Sequence, residues 1–208
     1  PWTTATFTDH FLNTRLWGDA GDGSLGDNTT LVTTRYGVAA LSSGGSNGNV
    51  HRMFLCPLSA GSLGGVHSAD DFDHTWIVAV SSITNCLYRA GFGSSWSATP
   101  GDTDPSDAIF FEFDPVDAAT WRGITAGGGT RTATALGGGN VAADTFYRLR
   151  ARRAGSTAYF SVDGGAETAV TANLPITDVV AGAVAKTTTG SQRRLYHDWH
   201  THTVEGIA

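Results

Sequence analysis

Ala108-Ile109-Phe110-Phe111-Glu112-Phe113-Asp114 is the stretch that decides the fold. Four of its seven residues, Ile109, Phe110, Phe111 and Phe113, are strong strand formers, and the two faces differ. Ile109, Phe111 and Phe113 point one way; Phe110, Glu112 and Asp114 point the other. Three large apolar side chains on one face need a partner layer, and nothing nearby offers a helical stripe. The expectation is a core strand of a β-sheet packed on a second sheet.

Working outward, the same grammar recurs. Trp121 to Ala126 and Arg131 to Leu136 flank Gly127-Gly128-Gly129, which reads as a hairpin. Phe146 to Arg153 alternates, with Arg148, Arg150 and Arg152 opposite Tyr147, Leu149 and Ala151. Thr157 to Val162 puts Ala158, Phe160 and Val162 inward. Asp163-Gly164 then turns the chain, and Ala166 to Thr171 returns. Val179 to Lys186 and Arg194 to Thr203 complete that half. Upstream, Thr75 to Val80 is apolar on both faces, as a central covered strand would be. Val38 to Leu41, Arg52 to Leu58 and Asn85 to Phe92 are further strand candidates. Polar loops cover residues 42–49 and 93–107. The pattern predicts about ten to twelve short strands in one domain, a sandwich rather than an α/β fold. No long segment carries a helical period, and no repeat or dividing linker stands out.

Composition agrees. The 208 residues are 40% hydrophobic and only 15% charged, enough to bury a core without staples. The 27 glycines suit many tight turns. A net charge of −6 disfavours a nucleic-acid partner. The run Arg148, Arg150, Arg152, Arg153 reads as a solvated strand face. Cys56 and Cys86 match no disulfide framework or zinc spacing, and buried free thiols are expected. No apolar run is long enough for a membrane span. Pro1-Trp2-Thr3-Thr4 lacks a signal-peptide pattern, so synthesis in the cytoplasm is expected.

From Ala108 to Trp199 the chain resembles the concanavalin-A-like lectin/glucanase superfamily. The resembling pieces stand in order: Ile109 to Asp114, then Trp121 and its hairpin, then Phe146-Tyr147-Arg148-Leu149-Arg150. Ala158-Tyr159-Phe160-Ser161-Val162-Asp163-Gly164, Asn173-Leu174-Pro175 and Leu195 to Trp199 follow. Order and spacing look most like lectin-like domains of bacteriophage virion proteins, which also favour a strand like Leu87 to Phe92. The resemblance implies an all-β, two-sheet antiparallel jelly-roll sandwich. Residues 18–208 would form it, and residues 1–17 would be an N-terminal arm or its first strand. It further implies a virion structural protein, a capsid decoration (cement) protein on the major capsid protein or a tail-associated one on other virion subunits. A trimer or dimer on the particle would match capsid symmetry.

Within that frame, several residues are candidates for contact. Trp2, Phe7, Phe11, Leu12 and Leu16 would grip neighbouring virion subunits, since aromatic residues suit interface cores. Trp96 and Trp17 could stack on the rings of a surface glycan, which defines the alternative function, a carbohydrate-binding module. Trp96 folded back onto the core is the competing placement. A third reading is a glycoside hydrolase. Glu112-Phe113-Asp114-Pro115-Val116-Asp117 has the shape E-x-D-x-x-D, near the E-x-D-x-x-E of the glucanase branch, where two carboxylates flank the scissile bond. Pro115 interrupts the strand and Asp117 is one methylene short, so no catalytic residue is assigned and no enzyme is expected. No phosphate loop or nucleophile elbow exists. Asp198, His200 and His202 alternate on the last strand, where a metal would need further ligands. Asp19, Asp22 and Asp27, and likewise Asp102, Asp104 and Asp107, could wrap Ca²⁺ but read first as turn formers. No metal or cofactor is assigned.

Overall fold

A computed structural model describes the backbone of residues 3–9, 17–21, 24–27, 39–46, 48–55, 65–66, 70–94, 96 and 105–207. Side chains are described for residues 40–46, 48–51, 70–94, 96 and 105–198. The described residues form two eight-stranded antiparallel sheets and no helix.

The first sheet holds β1 (Thr3–Asp9), β3 (Ser24–Asp27), β4 (Ala39–Ser42), β7 (Asp71–Val80), β12 (Phe146–Ala154), β13 (Thr157–Val162), β14 (Thr168–Val170) and β16 (Arg194–Ile207). Its order is β14-β13-β12-β7-β16-β4-β3, with β1 beside β16. The second holds β2 (Trp17–Gly21), β5 (Val50–Leu55), β6 (Gly65–Val66), β8 (Cys86–Gly93), β9 (Ala108–Phe113), β10 (Arg122–Gly127), β11 (Thr130–Ala135) and β15 (Val179–Thr187). Its order is β11-β10-β9-β8-β15-β5-β2, with β6 beside β15. This is the expected jelly-roll sandwich. It has more strands than the alternation predicts, because β2, β3 and β6 are too short to show a period; β14 falls within the expected return strand from Ala166 to Thr171.

The core lies between the sheets. Trp76, Leu149 and Phe160 of the first face Phe92, Phe111 and Phe113 of the second. Phe111 and Phe160 meet edge to face at 5.3 Å. Gly123 makes room for that contact, since a Cβ there would stand 2.7 Å from the Phe160 ring. Burying one such aromatic is worth roughly 2–3 kcal/mol, so no single pair holds the sheets together. Ile109, Phe111 and Phe113 do share the core face, and Phe110 lies on the other face in a separate cluster with Trp96, Ile124 and Val184. Asp114 departs from the alternation, because β9 ends at Phe113.

The turn readings hold where the backbone demands them. Gly127 pairs with Thr130, leaving Gly128 and Gly129 as a two-residue loop with φ of 56° and 82°. Positive φ at both central positions is what a type I′ hairpin needs. Asp163 (φ 51°) and Gly164 (φ 73°) repeat the arrangement, closed by Gly165 N–H to Val162 O.

Over residues 3–9 the N-terminal segment is a strand, β1, paired with the far half of β16, which is the second of the two forms expected for it. One expectation changes. On β16, the register against β7 shifts between His197 and Trp199. Asp198 is the extra residue of this bulge, so alternate spacing no longer gives Asp198, His200 and His202 one common face. Cys86 is buried and free, and burial pushes its thiol up to about 12. Cys56 lies outside the described residues.

Candidate functional site

Each sheet carries an arginine–carboxylate network on its outer face. On the second sheet, Glu112 stands directly opposite Arg89 on β8 and Arg122 on β10. Facing positions on neighbouring strands share a side, so the register alone brings these charges together. Arg89 Nε donates to Glu112 Oε2 at 2.8 Å, and Arg122 Nη2 to Oε1 at 2.5 Å. Arg131 Nη2 donates to the same Oε1. Arg122 also reaches Asp117 Oδ2 at 2.6 Å. The Arg89 and Arg131 guanidiniums lie 5.4 and 5.9 Å from the centre of the Phe110 ring. The Glu112 side chain is only 2% exposed.

Trp96 helps to cover this face. Its indole N–H donates to Val180 O at 2.9 Å, and its ring meets Phe110 edge-on at 6.1 Å. It occupies the space a side chain at 182 would fill, with Nε1 2.4 Å from a Cβ placed on Gly182. Trp96 is 7% exposed. The folded-back placement is therefore the observed one, and the ring offers no open face for a sugar. Trp17 opens β2 opposite Leu55, and Phe7 stands opposite His202 in the backbone register. The side chains of both lie outside the described residues, as do Trp2, Phe11, Leu12 and Leu16 altogether.

The E-x-D-x-x-D shape dissolves in three dimensions. Glu112 is buried under three guanidiniums. Asp114 Oδ1 accepts the Val116 N–H at 2.9 Å, and Asp114 O accepts from Asp117 and Ala118. Asp117, 51% exposed in its side chain, pairs with Arg122. A glycosidase needs two carboxyls facing one bond. Here one carboxylate anchors a sheet and one caps a turn.

Asp107 is another carboxylate with a structural post. It accepts from the N–H groups of Ile176 (2.8 Å) and Gly128 (3.3 Å) and from Ser106 Oγ (3.1 Å). Burial raises its pKa, but these donors and Thr177 outweigh burial and hold the carboxyl below its usual range. It ties the β8–β9, β10–β11 and β14–β15 connections together rather than facing a cation. Asp102, Asp104 and Asp22 lie outside the described residues; Asp19 and Asp27 belong to β2 and β3.

The first sheet carries its network in the open. Arg152 stands opposite Asp73 on β7 and Tyr159 on β13; Arg150 stands opposite Thr75 and Ser161. Arg150 grips Asp73 with two bonds, Nε to Oδ1 at 2.8 Å and Nη2 to Oδ2 at 2.5 Å. Arg152 grips Glu167 the same way, Nε to Oε1 at 2.8 Å and Nη2 to Oε2 at 2.5 Å. Arg150 Nη1 links the halves through Glu167 Oε1 at 3.2 Å. The Arg152 guanidinium lies 3.8 Å from the centre of the Tyr159 ring. The four charged side chains are 29–41% exposed. The Arg152 bonds hold the Glu167 carboxyl below its usual range, and the Asp73 and Glu167 bonds raise the two arginines.

The arginines of this quartet are legible in the sequence, and their partly exposed setting agrees with a solvated strand face. Their partners Asp73, Glu167 and Tyr159 are not legible there. The signal for Asp73 is the alternation Asp71, Asp73, Thr75 on β7, which becomes informative only once β7 is known to pair with β12.

No protein-family model matches the chain, and no curated protein matches it in sequence. Solved structures do match in shape. Peanut lectin superposes with a TM-score of 0.62 at 13% identity, covering 99% of each chain. The CBM2 module of the evolved Dit of Lactobacillus casei BL23 phage J-1 superposes with 0.62 at 12% identity, covering 100% of this chain and 98% of that one. A native glycosidic hydrolase superposes with 0.64 at 16% identity, covering 95% and 94%. Identities this low show the fold alone, a lectin-like sandwich of the concanavalin-A kind, and the fold hosts binders and enzymes alike.

Proposed function

We propose that this chain is a non-catalytic carbohydrate-binding module and that Asp73, Arg150, Arg152, Tyr159 and Glu167 form its binding surface. The observation that carries the reading is the open quartet. Sugars are recognised by planar polar side chains held in fixed orientations beside an aromatic ring, and pre-ordering those side chains lowers the entropy cost of binding. Here each charged side chain is fixed by its neighbour, yet none is buried. The disposition of Glu112 and Asp114 supports binding over hydrolysis.

The test is a glycan array with the wild type, followed by titration of the best ligand against Arg152→Ala. The expected result is a binding loss of about tenfold or more, the worth of one charge-assisted hydrogen bond. Undiminished affinity would remove the quartet from the site.

A virion is the setting we propose for the module. The likeness to a CBM2 module from a phage supports a phage setting, and we propose a tail-associated place with surface glycan and other virion subunits as partners. Co-sedimentation with purified particles separates the options. A few copies per particle support the tail. Hundreds would instead support shell decoration through the major capsid protein, and none would remove the virion setting.

A further inference from the structure

We infer that the ligand of the first sheet's open face is an uncharged glycan segment, read through its vicinal hydroxyls rather than through acidic groups. This rests on the carbohydrate-binding reading above.

The argument starts from what the quartet has left to offer. A guanidinium has five N–H donors and a carboxylate about four acceptor positions. Arg152 uses only Nε and Nη2 on Glu167, so its Nη1 group has no described protein partner. Asp73 takes one bond on each oxygen from Arg150 and keeps a lone pair on both. The remaining capacity is mixed, donors beside acceptors along a line from Asp73 to Tyr159. A hydroxyl both donates and accepts, so adjacent hydroxyls of a neutral sugar match such a line.

Charge points the same way. Two arginines and two carboxylates leave the quartet with no net charge. An acidic sugar approaching Arg152 would meet Glu167 already seated on that guanidinium, and repulsion between like charges would oppose it. Arg148 is exposed on the same strand and could serve an anion, but it stands opposite Ile77, away from the Glu167 pair. Recognition of a neutral chain would leave it idle.

The experiment compares neutral polysaccharides with polyuronate and polysialate by calorimetric titration at about 0.05 M and about 0.5 M salt, a range over which screening changes severalfold. The expected result is binding to a neutral chain, changing no more than about twofold with salt. Arg152→Lys, which keeps the charge but loses the planar fork, should weaken it about tenfold. Arg148→Ala should leave it within about twofold, as a surface change outside the contact would. Preference for an acidic chain, with affinity collapsing in high salt and lost in Arg148→Ala, overturns the ligand class while leaving a glycan-binding module. Absence of binding to every chain overturns the class together with the reading beneath it. Retained affinity in Arg152→Lys overturns the hydroxyl-reading geometry, because a point charge would then suffice.

Discussion

The two outer faces use the same chemistry for opposite ends. On the second sheet, three arginines converge on Glu112, itself 2% exposed in its side chain, and Trp96 packs against Phe110 nearby. On the first, two arginines and two carboxylates alternate in the open, 29–41% exposed. The difference is solvent. Charges withdrawn from water must be fully paired, and removing one partner strands the others. Charges left in water contribute little stability, and their remaining hydrogen-bonding capacity stays available to a ligand. The covered network is therefore architecture and the open one is the candidate surface.

The sharpest way to break that contrast is Glu112→Gln. It removes the one negative charge that Arg89, Arg122 and Arg131 share and turns one of its two acceptor oxygens into a donor that faces guanidiniums. The expected cost is about 3–5 kcal/mol, as for other broken buried ion pairs. In a chain of this size that lowers the melting temperature by roughly 6–20 °C. A shift below about 2 °C would mean that the second face is wetter than its exposure suggests.

Gly182→Ala asks whether Trp96 is a fixed cover or a lid. The new methyl would stand 2.4 Å from the indole nitrogen and must push the ring off its hydrogen bond to Val180 O. Overpacking of this kind costs about 1–3 kcal/mol. Tryptophan emission should shift to longer wavelength on heating at a lower temperature than in the wild type, while glycan affinity stays the same. Affinity that changes with the cover would move the binding site to the second sheet.

Much of this was legible in the residues and part was not. The core strand from Ile109 to Phe113, the Gly128-Gly129 hairpin and the Asp163-Gly164 turn follow from period-two alternation and from positive φ, both local properties. The roles of Glu112, Asp114 and Asp73 do not. Glu112 and Asp114 share an apparent face, yet β9 ends between them. Which guanidinium meets which carboxylate depends on strand order, and β7 meets β12 across roughly seventy residues of chain. A lone Trp in a Gly/Ser loop cannot announce its direction; the bare backbone of Gly182, far along the chain, is what receives Trp96.

Arg152→Ala separates stability from binding on the open face. The pair with Glu167 is bidentate but wet, so its loss should change unfolding free energy by no more than about 1 kcal/mol. The binding loss expected for the same variant is larger. If denaturant midpoints fell as far as in Glu112→Gln, the open network would be a structural element too.

The smallest effect sharpens the same distinction through pH. The Glu167 carboxyl is held below its ordinary value of 4.5 by the Arg152 bonds first, with burial opposing. A carboxyl lowered in the folded state contributes stability that is fully present above its unfolded value and is lost as pH falls through its folded one. The stability difference between wild type and Glu167→Gln should thus be flat from neutral pH down to about 5, then shrink below about 4.5. Glycan affinity should fall over the same acid range, because protonating Glu167 releases the Arg152 guanidinium from its fixed plane. Urea titrations at stepped pH, run beside calorimetric binding, read both. A stability difference that vanishes on acidification while affinity holds would mean that Glu167 steadies the strand hairpin and orients nothing for the ligand. Affinity that falls before stability does would make the carboxylate itself a contact to a sugar hydroxyl, the stronger form of the reading.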